Sequence, residues 1–174
     1  MKKILITGAT GLVGSELCLA LLKKGWSLVV LGRATEQEFK KKFTLPCEYF
    51  QWADPAHTAP PEAALQVDCA VNLMGEPIAD KRWSDEQKIR LKESRISATQ
   101  HLVTALNQFN PGLKAFVSTS AIGYYGDGGD AVLSEQSAAS GDFLGTLCRD
   151  WELAAQQTQA RCVIIRTGIV LSHQ

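Results

Sequence analysis

The sequence predicts an α/β fold, a doubly wound and mostly parallel sheet of six strands with helices on both faces. Three observations predict it. Short apolar, β-branched runs alternate along the chain with segments of helical period. The runs are apolar at nearly every position rather than at every second one, as in strands buried on both faces. The connections are short, as the crossover units of a parallel sheet require.

Residues 3–7 form the first strand. Residues 12–24 show helical spacing through Leu12, Leu17, Ala20 and Leu21, and Gly25 stands where the residue after a helix belongs. Residues 27–31 are strand-like, 48–52 a weaker strand and 67–73 a stronger one. Residues 84–109 read as one long helix. Ile89, Ile96 and Val103 recur every seven residues there, with Leu102, Leu106 and Phe109 beside them. Ser84 is its N-cap, Gln87 follows three residues later, and Pro111-Gly112 ends it. Residues 114–118 are a strand, 142–157 a helix and 161–166 the last strand. Residues 53–61, rich in Pro and Ala, and 123–141, rich in Gly, Ser and Asp, are loops. The second lies beyond the carboxyl end of a strand, where such sheets bind ligands.

Composition excludes several classes. The 174 residues are 45% apolar and 21% charged, ordinary for one globular domain with its own core. Eighteen Lys and Arg balance eighteen Asp and Glu, so the formal net charge is zero, which argues against nucleic acid as a partner. No apolar run approaches the roughly 18–20 residues of a membrane span. Residues 1–6 imitate a signal peptide, but Thr7, Gly8 and Gly11 break the segment and no cleavage site follows. The five cysteines (Cys18, Cys47, Cys69, Cys148, Cys162) are scattered, with no C-x-x-C pair and no His cluster nearby. Neither a metal site nor a disulfide framework is expected. They read as reduced, mostly buried thiols of a cytoplasmic protein.

The strongest motif is Thr7-Gly8-Ala9-Thr10-Gly11-Leu12-Val13-Gly14, set between the first strand and the first helix. Gly8 permits the tight exit from the strand, Gly11 lets backbone approach a pyrophosphate, and Gly14 lets the helix pack on the sheet. The helix N-terminus then offers free N–H groups and partial positive charge to phosphates. On a strand–turn–helix at the start of a six-strand pattern, this is the Rossmann dinucleotide layout. The second strand ends Val30-Leu31-Gly32-Arg33, with no acid to hold a ribose 2′-hydroxyl and with a guanidinium suited to a 2′-phosphate. NADP is therefore expected in preference to NAD. Asp54, after the third strand, reads equally as an acceptor for the adenine amine and as a turn residue before Pro55. The fourth strand ends Val71-Asn72-Leu73-Met74-Gly75, whose backbone would run beside the cofactor.

These residues resemble a known family. Thr7 to Gly14 is similar to the cofactor loop of the extended short-chain dehydrogenase/reductase superfamily. Val71-Asn72-Leu73-Met74-Gly75-Glu76-Pro77-Ile78, Ser118-Thr119-Ser120-Ala121-Ile122-Gly123-Tyr124-Tyr125-Gly126 and Arg166-Thr167-Gly168-Ile169-Val170-Leu171 resemble one atypical branch of it, as do Arg82-Trp83, Ser94-Arg95 and Trp151-Glu152. That branch is labelled nucleoside-diphosphate-sugar epimerase-like, and some members are called cell-division inhibitors. The resemblance implies an NADP-binding fold. It implies that Thr7, Gly8, Thr10, Gly11, Leu12, Val13 and Gly14 surround the pyrophosphate and that Gly32 and Arg33 face the adenosine ribose. By the same resemblance Leu73, Met74 and Gly75 line the cofactor. Arg95 falls where related epimerases carry a cofactor-side Asn, Arg90 lies more than one turn before it, and Ile169 lies near the nicotinamide end. Ser120 matches the substrate-facing Ser of the superfamily, and Tyr124 and Tyr125 follow it as further catalytic candidates.

Each has a plainer alternative. Lys88, Lys92 and Arg95 lie three or four apart and also fit one solvated helix face. Ser118, Thr119 and Ser120 also fit as caps of loop backbone, and the two tyrosines as loop packing.

The sequence departs from the superfamily at one point of chemistry. Tyr-x-x-x-Lys puts an ammonium beside a phenol one helical turn away, easing the phenol's proton transfer near neutrality. Here the last lysine is Lys114. With Glu152 fixing the register, Leu144 and Cys148 hold the Tyr and Lys positions, and the nearest cation, Arg149, is a poor proton donor. Cys148 reads as a core thiol with acid/base use as its alternative. Extended members continue past the last motif into a smaller substrate lobe. The resemblance thus implies that residues 1–174 are the dinucleotide-binding domain without that lobe, with apolar surface left for self-association. Two functions follow: an NADP-dependent epimerase-like or reductase-like enzyme acting on a small molecule, or a non-catalytic NADP-binding regulator.

Overall fold

The structure, a computed structural model, describes residues 2–171. Six strands, β1 (Lys3–Thr7), β2 (Ser27–Gly32), β3 (Glu48–Gln51), β4 (Cys69–Asn72), β5 (Ala115–Ala121) and β6 (Arg161–Thr167), form one sheet in the order β3-β2-β1-β4-β5-β6. Every pairing is parallel. The helices are α1 (Leu12–Lys23), α2 (Glu36–Lys42), α3 (Asp85–Lys92), α4 (Ala98–Phe109) and α5 (Phe143–Ala155). The chain starts at the centre, steps outward to β3, then returns across β1 to β4. Strand order therefore reverses between β1 and β4, and a crevice opens at their carboxyl ends. Thr7 pairs with Leu31 on one side and Asn72 on the other, and Asn72 with Ser118, so these strand ends lie in one row.

The continuous apolar runs are buried on both faces. In β1, Leu5 packs with Phe116, Leu102, Leu106 and Ala155 under α4 and α5. Its neighbours Ile4 and Ile6 pack the opposite way, with Cys18, Val30 and Phe39 under α1 and α2. Each such side chain contributes about 1.5–3 kcal/mol of apolar burial. β5 runs three residues past its predicted end because all seven of its residues pair with β6.

Four expectations need correction. Helix α2 lay hidden in a polar stretch. Thr35 accepts from the Glu38 amide while the Glu38 carboxylate accepts from the Thr35 amide, a reciprocal cap that starts a helix with only Phe39 buried. In α1 the buried positions are Gly14 and Cys18, flanked by Leu17 and Leu21, while Leu12 and Ala20 are exposed. The predicted helix over 84–109 is interrupted by a π-helical turn at Glu93–Ser97. Its extra residue shifts the phase of the buried stripe. Gln87 and Leu91 face inward in α3 while Ile89 is exposed, so the seven-residue repeat does not mark one face. Finally, only Cys18 and Cys148 are buried, and Cys47, Cys69 and Cys162 are half-buried. Among the described residues no helix is long and apolar enough to cross a membrane.

Candidate functional site

The glycine turn leaves β1 at the crevice. Gly8 has φ +70, a conformation that disfavours any side chain, and a Cβ there would stand 2.7 Å from the Leu73 carbonyl oxygen. The turn thus lies directly on the end of β4. A Cβ on Gly14 would collide with the Gly8 carbonyl oxygen, so α1 starts in contact with the turn. At Gly11 the nearest atom is 3.4 Å away, so its glycine leaves space rather than relieving a clash. Gly11 is also the N-cap of α1, with no side chain capping it and no acidic residue in the first turn. The leading amides of α1 are therefore left for water or an anion. Thr10, Gly11, Leu12 and Val13 are exposed around them.

Thr7 plays a different part. It is buried, and its hydroxyl donates to Asn72 Oδ1 at 2.8 Å while accepting from the Leu73 amide. Asn72 Nδ2 in turn donates to Thr99 Oγ1 at 2.9 Å, which also accepts from Trp151 Nε1. This buried chain ties β1, β4, α4 and α5 together beneath the glycine turn, and the side chain of Thr7 belongs to it.

Gly32 and Arg33 end β2 on the same edge. A Cβ on Gly32 would meet the Tyr49 hydroxyl at 2.9 Å. Arg33 is exposed and makes no ion pair among the described residues. Asp54 is held in a turn. Its carboxylate accepts from His57 Nδ1 at 2.9 Å, and its carbonyl accepts from Thr58. That contact raises the His57 pKa above its ordinary value. The turn role is thus realised at Asp54.

At the end of β4, Leu73 and Met74 pack into opposite core layers and Gly75 is exposed. Arg95 reaches this point from the π-helical turn. Its Nη2 donates to the Glu76 carbonyl at 2.8 Å, and its guanidinium carbon lies 5.4 Å from the centre of the Trp151 ring. Arg95 is therefore turned inward, not onto a solvated face with Lys88 and Lys92. Arg90 is exposed on α3, with Glu86 as a charged neighbour.

Ser120, at the end of β5, corrects an expectation. It is 1% exposed, and its hydroxyl donates to Glu152 Oε1 at 2.6 Å. Glu152 also receives Arg166 Nε on Oε1 and Nη2 on Oε2, each at 2.8 Å. Arg166 Nη1 donates to the Tyr125 hydroxyl at 2.8 Å, and its guanidinium sits 3.5 Å from the centre of the Tyr124 ring. The Glu152 carboxylate holds the Arg166 pKa above even the usual arginine range. Ser120 and Tyr125 are thus bridged by the Glu152–Arg166 ion pair. Sequence reasoning missed that pair. Its signal was parity: Arg166 shares a strand face with Cys162 and Ile164, and Glu152 a helix face with Cys148 and Ala155.

Leu144 is half-buried and Cys148 buried, and burial pushes the Cys148 thiol up. Arg149 is exposed and paired with Asp150. Ile169, just past β6, is 88% exposed.

Known proteins share this fold. An epimerase family protein of Mycobacterium bovis is 37% identical over 172 residues, which cover 97% of this chain and 54% of that protein. The crystal structure of human epimerase family protein SDR39U1 with NADPH superposes with a TM-score of 0.80 at 28% identity, over 99% of this chain and 55% of that one. A nucleoside-diphosphate sugar epimerase from Corynebacterium glutamicum gives a TM-score of 0.80 at 34% identity, over 98% of this chain and 34% of that one. The chain thus spans about half the length of the curated relatives it matches. The model of the NAD dependent epimerase/dehydratase family matches residues 4–147. With its six-strand parallel sheet and glycine turn, the chain belongs to the NAD dependent epimerase/dehydratase family.

Proposed function

We propose that this chain binds NADP(H) across the carboxyl edge of its sheet, as the dinucleotide half of an epimerase-like or reductase-like protein acting on a small molecule. One observation carries the reading. The glycine turn presents an uncapped helix N-terminus beside the unpaired Arg33, with no acid at the end of β2. The residues fit such a ligand. Gly11 leaves room for a diphosphate, Gly32 and Arg33 meet the adenosine ribose and its 2′-phosphate, and Leu73, Met74 and Gly75 flank the nicotinamide half. A bound nicotinamide supplies or accepts hydride, and this chain holds it in place. The NADPH of the human relative supports the preference for the phosphorylated cofactor. Thermal unfolding with NADPH, NADH and neither tests it: NADPH gives the largest upward shift.

A second reading, a non-catalytic NADP(H)-binding regulator, is favoured by the ends of α5 and β5. Leu144 and Cys148 stand where a Tyr–Lys pair would stand, and the Ser120 hydroxyl is committed to Glu152. NADPH oxidation across a carbonyl panel, by a protein carrying the full length of its relatives, separates the two. Turnover of any member of the panel supports the enzyme, and binding of NADPH without turnover supports the regulator.

A further inference from the structure

On α3, Lys88 is half-buried while its neighbours Arg90 and Lys92 are exposed. Among the described residues no carboxylate lies within ion-pairing distance of its ammonium, not even that of Asp85, three residues before it. What Lys88 approaches is a ring, its Nζ lying 5.7 Å from the centre of Phe143. Phe143 in turn meets Trp83, with ring centres 5.6 Å apart and planes tilted by 58°. That is the spacing of an attractive aromatic pair.

These side chains come from three elements that meet at the carboxyl edge. Trp83 ends the segment between β4 and α3, Lys88 lies on α3, and Phe143 opens α5. Chain leaving a parallel strand enters its next helix at that edge, where ligands bind. Phe143 directly precedes Leu144, which stands at the family's tyrosine position. Leu144 packs on the end of β5, where a Cβ on Gly123 would lie 3.5 Å from its own Cβ. The cluster therefore borders the place where a small molecule meets a bound nicotinamide. Trp83 is also fixed there. Its Nε1 donates to the Ile78 carbonyl at 2.8 Å, and the same segment is pinned by the Glu76 amide, which donates to Ser94 Oγ at 3.0 Å. With its N–H committed, the indole offers a partner only its ring, and the residue is 38% exposed.

We propose that Trp83, Phe143 and Lys88 form a substrate subsite for a small aromatic acid, a flat apolar ring carrying one negative charge. The proposal rests on the dinucleotide reading above and names the class of its substrate. The ring lies against Trp83, and the acid group faces Lys88, whose ammonium is a compact point charge. The charge of the stretch fits one anion. From residue 80 to residue 90, Lys81, Arg82, Lys88 and Arg90 stand against Asp80, Asp85 and Glu86, which leaves a single positive charge in excess. A diphosphate needs arginine forks or a row of backbone N–H groups.

Calorimetric titration of NADP+-saturated protein with phenylglyoxylate, pyruvate and UDP-glucose tests this. NADP+ has no hydride to give these carbonyls, so binding alone is read. Wild type binds phenylglyoxylate about tenfold or more tighter than pyruvate, which lacks the ring. Trp83→Leu keeps an apolar side chain without the flat ring and weakens phenylglyoxylate about fivefold. Lys88→Met weakens it by a similar factor, while Lys88→Arg keeps the charge and stays within about twofold. All three variants hold NADP+ within about twofold of wild type. If Trp83→Leu does not fold, the contrast between Lys88→Met and Lys88→Arg decides alone. Equal affinity for phenylglyoxylate and pyruvate, or tighter binding of UDP-glucose, overturns the proposal. So do variants that bind phenylglyoxylate like wild type, which would assign the cluster to packing. Wild type that binds NADP+ and not phenylglyoxylate overturns this proposal alone. Wild type that does not bind NADP+ overturns the dinucleotide reading, and the subsite with it.

Discussion

Ser120 donates its hydroxyl to Glu152 Oε1 at 2.6 Å, joining the end of β5 to α5 across 32 residues of chain. The same carboxylate takes two bonds from Arg166, so β6 is locked into the same contact. Arg166 then reaches Tyr125, at the start of the loop that follows β5. The residue matching the family's substrate-facing serine is therefore a structural donor in this arrangement. Ser120 donates to a substrate oxygen only if its hydroxyl turns away from Glu152.

Breaking this pair from one side is expensive. The side chains of Arg166 and Glu152 are 17% and 7% exposed. Glu152→Leu leaves the half-buried Arg166 guanidinium and the buried Ser120 hydroxyl without their partner and lowers unfolding free energy by about 1–3 kcal/mol. Glu152→Leu with Arg166→Met removes both charges and recovers most of that loss. Urea unfolding of Glu152→Leu, Arg166→Met and the double variant measures the difference.

Two glycines of the turn respond differently to one added methyl. Gly14→Ala drives a Cβ against the Gly8 carbonyl and the Ala9 backbone, atoms that cannot rotate aside. It is destabilised by about 1–3 kcal/mol, an overpacking cost. Gly11→Ala meets only the Gly8 carbonyl oxygen at 3.4 Å and folds normally. Its methyl occupies the space left for a diphosphate, so it loses NADPH binding. Melting temperature and binding, read together, separate the two effects.

The fold was legible because its signals are local. Apolar runs such as 27–31 need both faces buried, and Thr7 to Gly14 combines a strand exit with a helix start. Helix α2 was equally local, since Thr35 and Glu38 form a reciprocal cap, but its single buried Phe39 leaves almost no periodicity to read. The π-helical turn was not legible. A seven-residue repeat of Ile89, Ile96 and Val103 assumes constant phase, and one inserted residue breaks it. Ser120 was placed by the resemblance alone. Its burial depends on Glu152 and Arg166, which only the tertiary fold brings near.

Asp68 ties the start of the sheet together, accepting from the Lys3 amide and pairing with Lys114. Those contacts lower its pKa below the ordinary aspartate value, with the Lys114 hydrogen bond the largest cause. A depressed carboxylate stabilises the fold above its unfolded pKa, and that contribution is lost as pH falls through the folded value. The difference in urea midpoint between wild type and Asp68→Asn is constant from about pH 7 down to about pH 5. It shrinks below about pH 4.

Arg33 is exposed, so removing it leaves stability within about 0.5 kcal/mol. Arg33→Ala lowers affinity for NADPH and leaves that for NADH nearly unchanged, erasing the preference between them. Parallel calorimetric titrations with both cofactors check it.

The most direct measurement is calorimetric titration of wild-type protein with NADPH and with NADH. Saturable binding at one site, tighter for NADPH, is the predicted result. Absence of binding by either dinucleotide, or tighter binding of NADH, contradicts a glycine turn and Arg33 built to receive a 2′-phosphorylated cofactor.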